Sequence, residues 1–171
     1  MLERRFNVKF DSLVAHVADH SFWLSYLSRA FEPSSAIGLH LAVFAEPFLS
    51  LVLNGRKTVE SRFSRVRCAP FDLVSEGDVI LLKQVGGPIC GLALAKRAWF
   101  YELDKQVFAG IRKTYGSTIC ADDEFWRSRR NASYATLIEL AEPTAIPATP
   151  CDKRDRRGWV PLRLRQSPLG V

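Results

Sequence analysis

Apolar residues along this chain recur with two different periods. Over residues 12–31, Leu13, Val17, Leu24, Leu27 and Phe31 return at helical spacing. Asp11 or Ser12 is placed to cap the start, and Pro33 lies just past the end. The spacing predicts one amphipathic helix, and Glu32 to Gly38 reads as a linker. Leu39–Ala45 is short and nearly continuously apolar, as a buried strand is. Glu46-Pro47 then opens a helix with Phe48, Leu49, Leu51, Val52 and Leu53 on its core face, and Gly55 is placed to end it. From Thr58 the period becomes two: Val59, Ser61 and Phe63 share one face, and Thr58, Glu60 and Arg62 the other. Asp78–Lys83, the turn Gly86-Gly87-Pro88 and Ile89–Ala95 read as a hairpin, with Trp99-Phe100-Tyr101 extending its second strand. A helix is expected over 103–115 with Gly116 at its end, and a shorter one from Asp122 or Asp123 to Arg130. Tyr134–Leu140 reads as a strand, 143–150 as a proline-rich connection, and Trp159-Val160 as a short last strand. Together these predict an α+β chain: a small mixed β-barrel with inserted and flanking helices.

Composition narrows the class of function. A chain of 171 residues holds one domain and an appendage. At 47% hydrophobic and 25% charged it has the makings of a packed core. No stretch approaches the roughly 20 apolar residues that span a bilayer, so no membrane partner is expected. Asp11, Asp19 and two histidines interrupt the apolar run behind the early arginines, which argues against a signal peptide. Cys68, Cys90, Cys120 and Cys151 are too far apart for a CxxC motif or a zinc knuckle, and reduced thiols in a cytoplasm are the expectation. His16 and His20 have the i, i+4 spacing of metal ligands, but no second motif completes a site.

The formal net charge of +6 is unevenly distributed. Residues 56–67 and 151–171 each carry +4, and the rest of the chain is slightly acidic. Two focused basic segments attract polyanions better than dispersed charge does.

The first of them holds the most informative stretch, Gly55-Arg56-Lys57-Thr58-Val59-Glu60-Ser61-Arg62. Here a helix ends at a glycine and a strand then presents alternating charges. Arg56 and Arg62 beside Lys57 would disfavour its charged form if the three converge, making it a proton shuttle with Glu60 as partner. Arg62 and Arg65 are placed to hold a phosphate. A surface ion pair between Glu60 and Arg62 is the plainer alternative.

This stretch resembles the hallmark of the ASCH domain, and its setting resembles a bacterial branch of those proteins. The preceding strand and helix, Gly77–Lys83, Tyr134–Leu140 and the basic Asp155-Arg156-Arg157-Gly158-Trp159 all fit. The resemblance covers roughly residues 39–162. It divides the chain into an N-terminal helical extension and linker over 1–38 and an ASCH domain over 39–171. It implies a PUA-like barrel whose ligand, RNA or a nucleotide or nucleoside, lies in a cleft at the barrel rim. The ligand-binding residues it implies are Arg56, Lys57, Thr58, Glu60, Arg62, Arg65, Lys83, Tyr134, Arg156, Arg157 and Trp159, with Trp159 as the favoured surface for stacking a base.

Some members of the family are enzymes, so hydrolysis of RNA or of a modified nucleoside is an alternative. Lys57 and Glu60 are then the candidate catalytic residues, with Glu60 as base, Lys57 as acid and Arg62 beside the phosphate. The acetylcytidine amidohydrolase branch carries a threonine three residues after its lysine. Here that position is Glu60, and a carboxylate is not a hydroxyl nucleophile. A serine on the late strand of the ribonuclease members corresponds to Ser133. No cofactor is expected for binding; a divalent metal accompanies the nuclease alternative, and Asp122, Asp123 and Glu124 are of a type to hold one, although acids in a row suit the start of a helix better. A third alternative is protein contact through the N-terminal helix.

Overall fold

The computed structural model describes residues 8–153 and 156–165. Among the described residues five helices and six strands follow one another as α1 (Phe10–His16), α2 (Ser21–Ala30), β1 (Leu39–Phe44), α3 (Phe48–Leu53), β2 (Val59–Ser64), β3 (Val79–Gln84), β4 (Ile89–Glu102), α4 (Lys105–Ile119), α5 (Asp123–Arg129), β5 (Tyr134–Thr149) and β6 (Trp159–Arg163). The strands form a single sheet in the order β2-β5-β4-β3-β1-β6. Only β1 and β3 run parallel, and α3 and β2 lie between them in the chain. The edges of the sheet are β2 and β6.

Three apolar clusters explain the strand patterns. Leu39 and Leu41 of β1 and Val79 and Leu81 of β3 pack with Leu13, Trp23 and Leu27 of the N-terminal helices. The alternate residues Ala42, Phe44, Ile80 and Leu82 pack with Leu49 and Val52 of α3 and with Trp159. Both faces of β1 and β3 are therefore covered, which is why the two strands read as nearly unbroken apolar runs. A third cluster seats Ile111, Ile119 and Trp126 of the α4–α5 layer on Val59 of β2 and Leu137 of β5.

The expected single helix over 12–31 is two helices. Val17 leaves helical geometry and His20 caps α2, its Nδ1 accepting the Trp23 N–H at 3.4 Å. The break changes the phase of the apolar pattern. Trp23, which donates its indole N–H to Thr144 Oγ1 at 2.9 Å and the Glu142 carbonyl at 3.1 Å, is buried, whereas Leu24 is exposed. It also separates His16, whose Nδ1 meets Thr149 Oγ1 at 3.2 Å, from His20, so the pair shares no helix face.

Gly116 lies inside α4, which runs on to Ile119 and ends at Cys120 in the left-handed conformation. The expected proline-rich connection belongs to β5. Register shifts against β4 and the positive φ of Glu142 let the strand bend past Pro143 and Pro147, positions where the ladder needs no N–H. Elsewhere expectation and structure agree: the β3–β4 hairpin, the extension of β4 through Tyr101, and Asp122 capping α5 by accepting the Phe125 N–H at 2.8 Å.

Candidate functional site

The hallmark stretch begins where α3 ends. Gly55 takes a φ of +76°, open to glycine at little cost, and the chain reverses so that the Lys57 N–H meets the Leu51 carbonyl at 2.8 Å. This turn drives the Lys57 side chain inward, where it is 3% exposed. Its ammonium donates to the Val59 carbonyl at 2.8 Å and the Ile119 carbonyl at 2.9 Å, and pairs with Glu60 Oε2 at 3.3 Å. Ile119 is the last residue of α4, so Lys57 neutralises the negative end of that helix dipole. Two main-chain carbonyls and one carboxylate thus surround the ammonium and hold it in place.

Glu60, 5% exposed, lies between Lys57 and Arg62, whose Nε approaches Glu60 Oε1 to 2.7 Å as an ion pair without hydrogen-bond alignment. Arg62 reaches further. Nη2 donates to the Val43 carbonyl at 2.9 Å and Nη1 to the Gly158 carbonyl at 3.2 Å, and the guanidinium stands over the rings of Phe44 and Trp159. Arg62 belongs to edge strand β2, while Val43 is in β1 and Gly158 immediately precedes β6, at the opposite side of the sheet. One side chain therefore ties the two edges of the sheet together and gives the barrel its seam.

A cleft of about 690 Å³ opens along that seam, within the range of small-ligand pockets. Among the described residues its walls carry seven cations, Lys57, Arg62, Lys83, Arg129, Lys153, Arg156 and Arg157, and one carboxylate, Glu60. Phe44, Phe48 and Phe125 supply flat apolar wall. Burial lowers the Arg129 guanidinium from its ordinary value and Glu60 raises it; the guanidinium lies over the Phe125 ring at 3.7 Å. Burial raises the Cys151 thiol at the cleft wall, with Lys83 acting in the opposite sense. Lys83 donates to the Gln84 and Gly87 carbonyls of the β3–β4 turn.

Of the residues expected from sequence, the fold brings Lys57, Glu60, Arg62, Lys83, Arg156 and Arg157 into this one cleft. Arg56, Thr58 and Arg65 are exposed and do not line it. Tyr134 lines a separate cavity of about 210 Å³ beyond Arg62, where it packs edge-on against Phe71. The reading of Trp159 as a stacking surface is corrected: its ring is 3% exposed, covered by Arg62, and its N–H is donated to His40 Nδ1 at 3.2 Å. Asp155 lies outside the described residues.

The acidic run Asp122-Asp123-Glu124 opens a helix. Asp122 caps α5, Asp123 pairs with Arg112 and Glu124 with Arg127. Among the described residues no three His, Cys, Asp or Glu side chains gather for an ion.

Sequence reasoning missed Ser61, Arg129, Lys153 and the three phenylalanines. Lys153 was inside a basic segment already marked, and the run Arg127-Ser128-Arg129-Arg130 carries a signal of the same kind. The phenylalanines read as core.

A second polar cluster lies behind the cleft. His40 Nε2 meets Asp78 Oδ2 at 3.1 Å, and Asp78 also accepts the N–H groups of Gly38 and Ser75 and the guanidinium of Arg165. Since His40 Nδ1 accepts from Trp159, Nε2 carries the proton to Asp78. Burial pushes the Asp78 carboxyl up, but the His40 hydrogen bond and the Ser75 N–H outweigh it, leaving the group below its ordinary value.

No family model and no curated protein matches the chain. Solved structures do. The crystal structure of ASCH from Zymomonas mobilis superposes with a TM-score of 0.59 at 15% identity, covering 73% of this chain and 87% of that one. The fold is the ASCH fold. A serine-to-alanine variant of the same bacterial protein superposes with the same TM-score of 0.59 at 15% identity, over 73% of this chain and 88% of its own. A tyrosine-to-phenylalanine variant does so at 17% identity and 0.59, over 73% and 90%. In this ASCH fold, a PUA-like half-barrel, the cleft occupies the seam between the two sheet edges. No helix among the described residues is long and apolar enough to cross a membrane.

Proposed function

We propose that the protein binds RNA, or a nucleotide derived from it, in the cleft between β2 and the β1–β6 edge. The observation that carries the reading is the charge of the cleft: among the described residues seven cations accompany one carboxylate, and that carboxylate is already held by two of them. The net field favours a ligand with several negative charges. Phosphate groups meet Arg129, Lys153, Arg156 and Arg157, while Phe48, with Phe125 edge-on beside it, offers apolar wall for an unpaired base. Single strands and loops suit this arrangement, because their bases can be splayed out of a stack. Membership of the ASCH family and a site of action among reduced thiols in the cytoplasm belong to the same proposal. They rest on the hallmark stretch and on the four free cysteines.

Hydrolysis has one observation in its favour, the Glu60 carboxylate at the cleft wall. Both its oxygens are engaged by Lys57 and Arg62, and Lys57 is itself held by two carbonyls, so binding is the reading we adopt. Incubation with RNAs and modified nucleosides, with and without divalent metal and read by chromatography, tests both. Retention of intact RNA supports binding. Product formation abolished in both Lys57→Ala and Glu60→Gln, with folding intact, supports the hydrolase.

A further inference from the structure

β2 is an edge strand, paired on one side only, with β5. The Leu140 N–H meets the Thr58 carbonyl, and with the register Glu60↔Ile138 and Arg62↔Thr136 this assigns the ladder bonds to residues 58, 60 and 62. The main-chain groups of Val59, Ser61 and Phe63 consequently turn to the free edge. Lys57 confirms that direction by donating to the Val59 carbonyl. The cleft lies along the same edge, since Glu60 and Arg62 from one face of the strand and Ser61 and Phe63 from the other all line it. Residues from both faces of one strand meet in a single cleft where the strand has no neighbour.

Ser61 stands at the middle of that edge. It is 8% exposed, and its Oγ is one of two buried side-chain polar atoms with no hydrogen-bond partner among the described residues. The other, Arg62 Nε, is next to it and is ion-paired with Glu60. A buried hydroxyl without a partner costs stability and calls for an explanation. The main-chain N–H and C=O of Ser61 add a donor and an acceptor side by side. Val59 has its carbonyl occupied, so the open edge is too short to pair with a peptide strand, which would need several alternate residues.

We infer that Ser61, through its hydroxyl and its edge-facing N–H and C=O, reads the hydrogen-bonding edge of a nucleobase whose phosphate the surrounding cations hold. This deepens the proposed function and rests on it. Ser61 is then the residue that makes the cleft selective for a nucleotide over a bare sugar phosphate. The base presents a donor and an acceptor next to each other, as the Watson–Crick edges of nucleobases do.

The test compares the four ribonucleoside 5′-monophosphates with ribose 5-phosphate, titrated into ¹⁵N-labelled full-length protein. At least one nucleotide should bind more tightly than ribose 5-phosphate and move the Ser61 amide resonance, which ribose 5-phosphate should leave in place. Ser61→Ala should weaken that nucleotide about 2–10-fold, the span of one hydrogen bond, while leaving ribose 5-phosphate unchanged. The variant should fold, since it removes a polar group that has no protein partner. If nucleotides and ribose 5-phosphate bind alike and the Ser61 amide stays still, the inference is overturned and the anion-binding cleft stands. If no phosphate compound binds, the proposed function falls and the inference with it.

Discussion

The salt dependence of RNA binding gives the proposed function a quantitative form. Of the seven cleft cations, Lys57 and Lys83 are directed at main-chain carbonyls and Arg62 is tied across the seam. The phosphate contacts of the proposal are assigned to the other four that line the cleft, Arg129 (which also donates to the Phe125 carbonyl), Lys153, Arg156 and Arg157. Each phosphate neutralised on a single strand releases about 0.7 of a counterion, so four contacts give a log–log slope of about −2.8. Between 50 and 200 mM salt the affinity should fall roughly 50-fold. Arg156 and Arg157 are exposed on the approach to β6, so replacing both with alanine should leave the fold intact. The double variant keeps two contacts, and its slope should drop to about −1.4, a loss of only about 7-fold over the same range. Fluorescence anisotropy with a labelled single-stranded RNA measures both slopes. A wild-type slope near zero would refute the phosphate contacts. An unchanged slope in the double variant would show that the RNA lies somewhere other than this cleft.

Other consequences concern the supports of the site. Arg62→Ala removes two charge-assisted hydrogen bonds across the seam and leaves Glu60 with one partner; it should cost about 3 kcal/mol in urea unfolding, and a cost below about 1 kcal/mol would sink the seam account. The Asp78 carboxyl is lowered in the folded state, so its contribution is fully present above the unfolded value of about 3.9 and is lost as pH falls through the folded value. Thermal melts of wild type should therefore decline with acid below about pH 4, and Asp78→Asn should flatten that part of the profile while melting lower at pH 7. Gly38→Ala would bring a Cβ within 2.6 Å of the Asp78 carboxylate in a fully buried setting; it should destabilise by about 1–3 kcal/mol, and a neutral result by calorimetry would count against the packing described.

Local pattern made most of the fold legible. Strands β1 and β3, the β3–β4 hairpin and helix α5 follow from apolar runs, turn glycines and a capping aspartate, all of which act within a few residues. Errors came where a distant partner decided. The break between α1 and α2 is held by Trp23 docking on β5, more than a hundred residues away. Strand β5 continues past its prolines because β4 runs alongside it, which no local propensity records.

The same division runs through the site. Charge counting over the sequence by itself located both basic segments, and the spacing of Lys57, Glu60 and Arg62 marked the strand that matters. Residue types and spacing could not show which cations face a ligand and which hold the protein together. Lys57 caps a helix that ends 62 residues later, and Arg62 closes a seam against Val43 and Gly158, so two of the best candidates also support the fold. Trp159, the favoured stacking surface, is covered by that same arginine. Alternation places Ser61 on the strand face opposite Glu60 and Arg62. Alternation says nothing about which strand will lie at the edge of a sheet, where the main chain itself is open and both sides meet in one cleft.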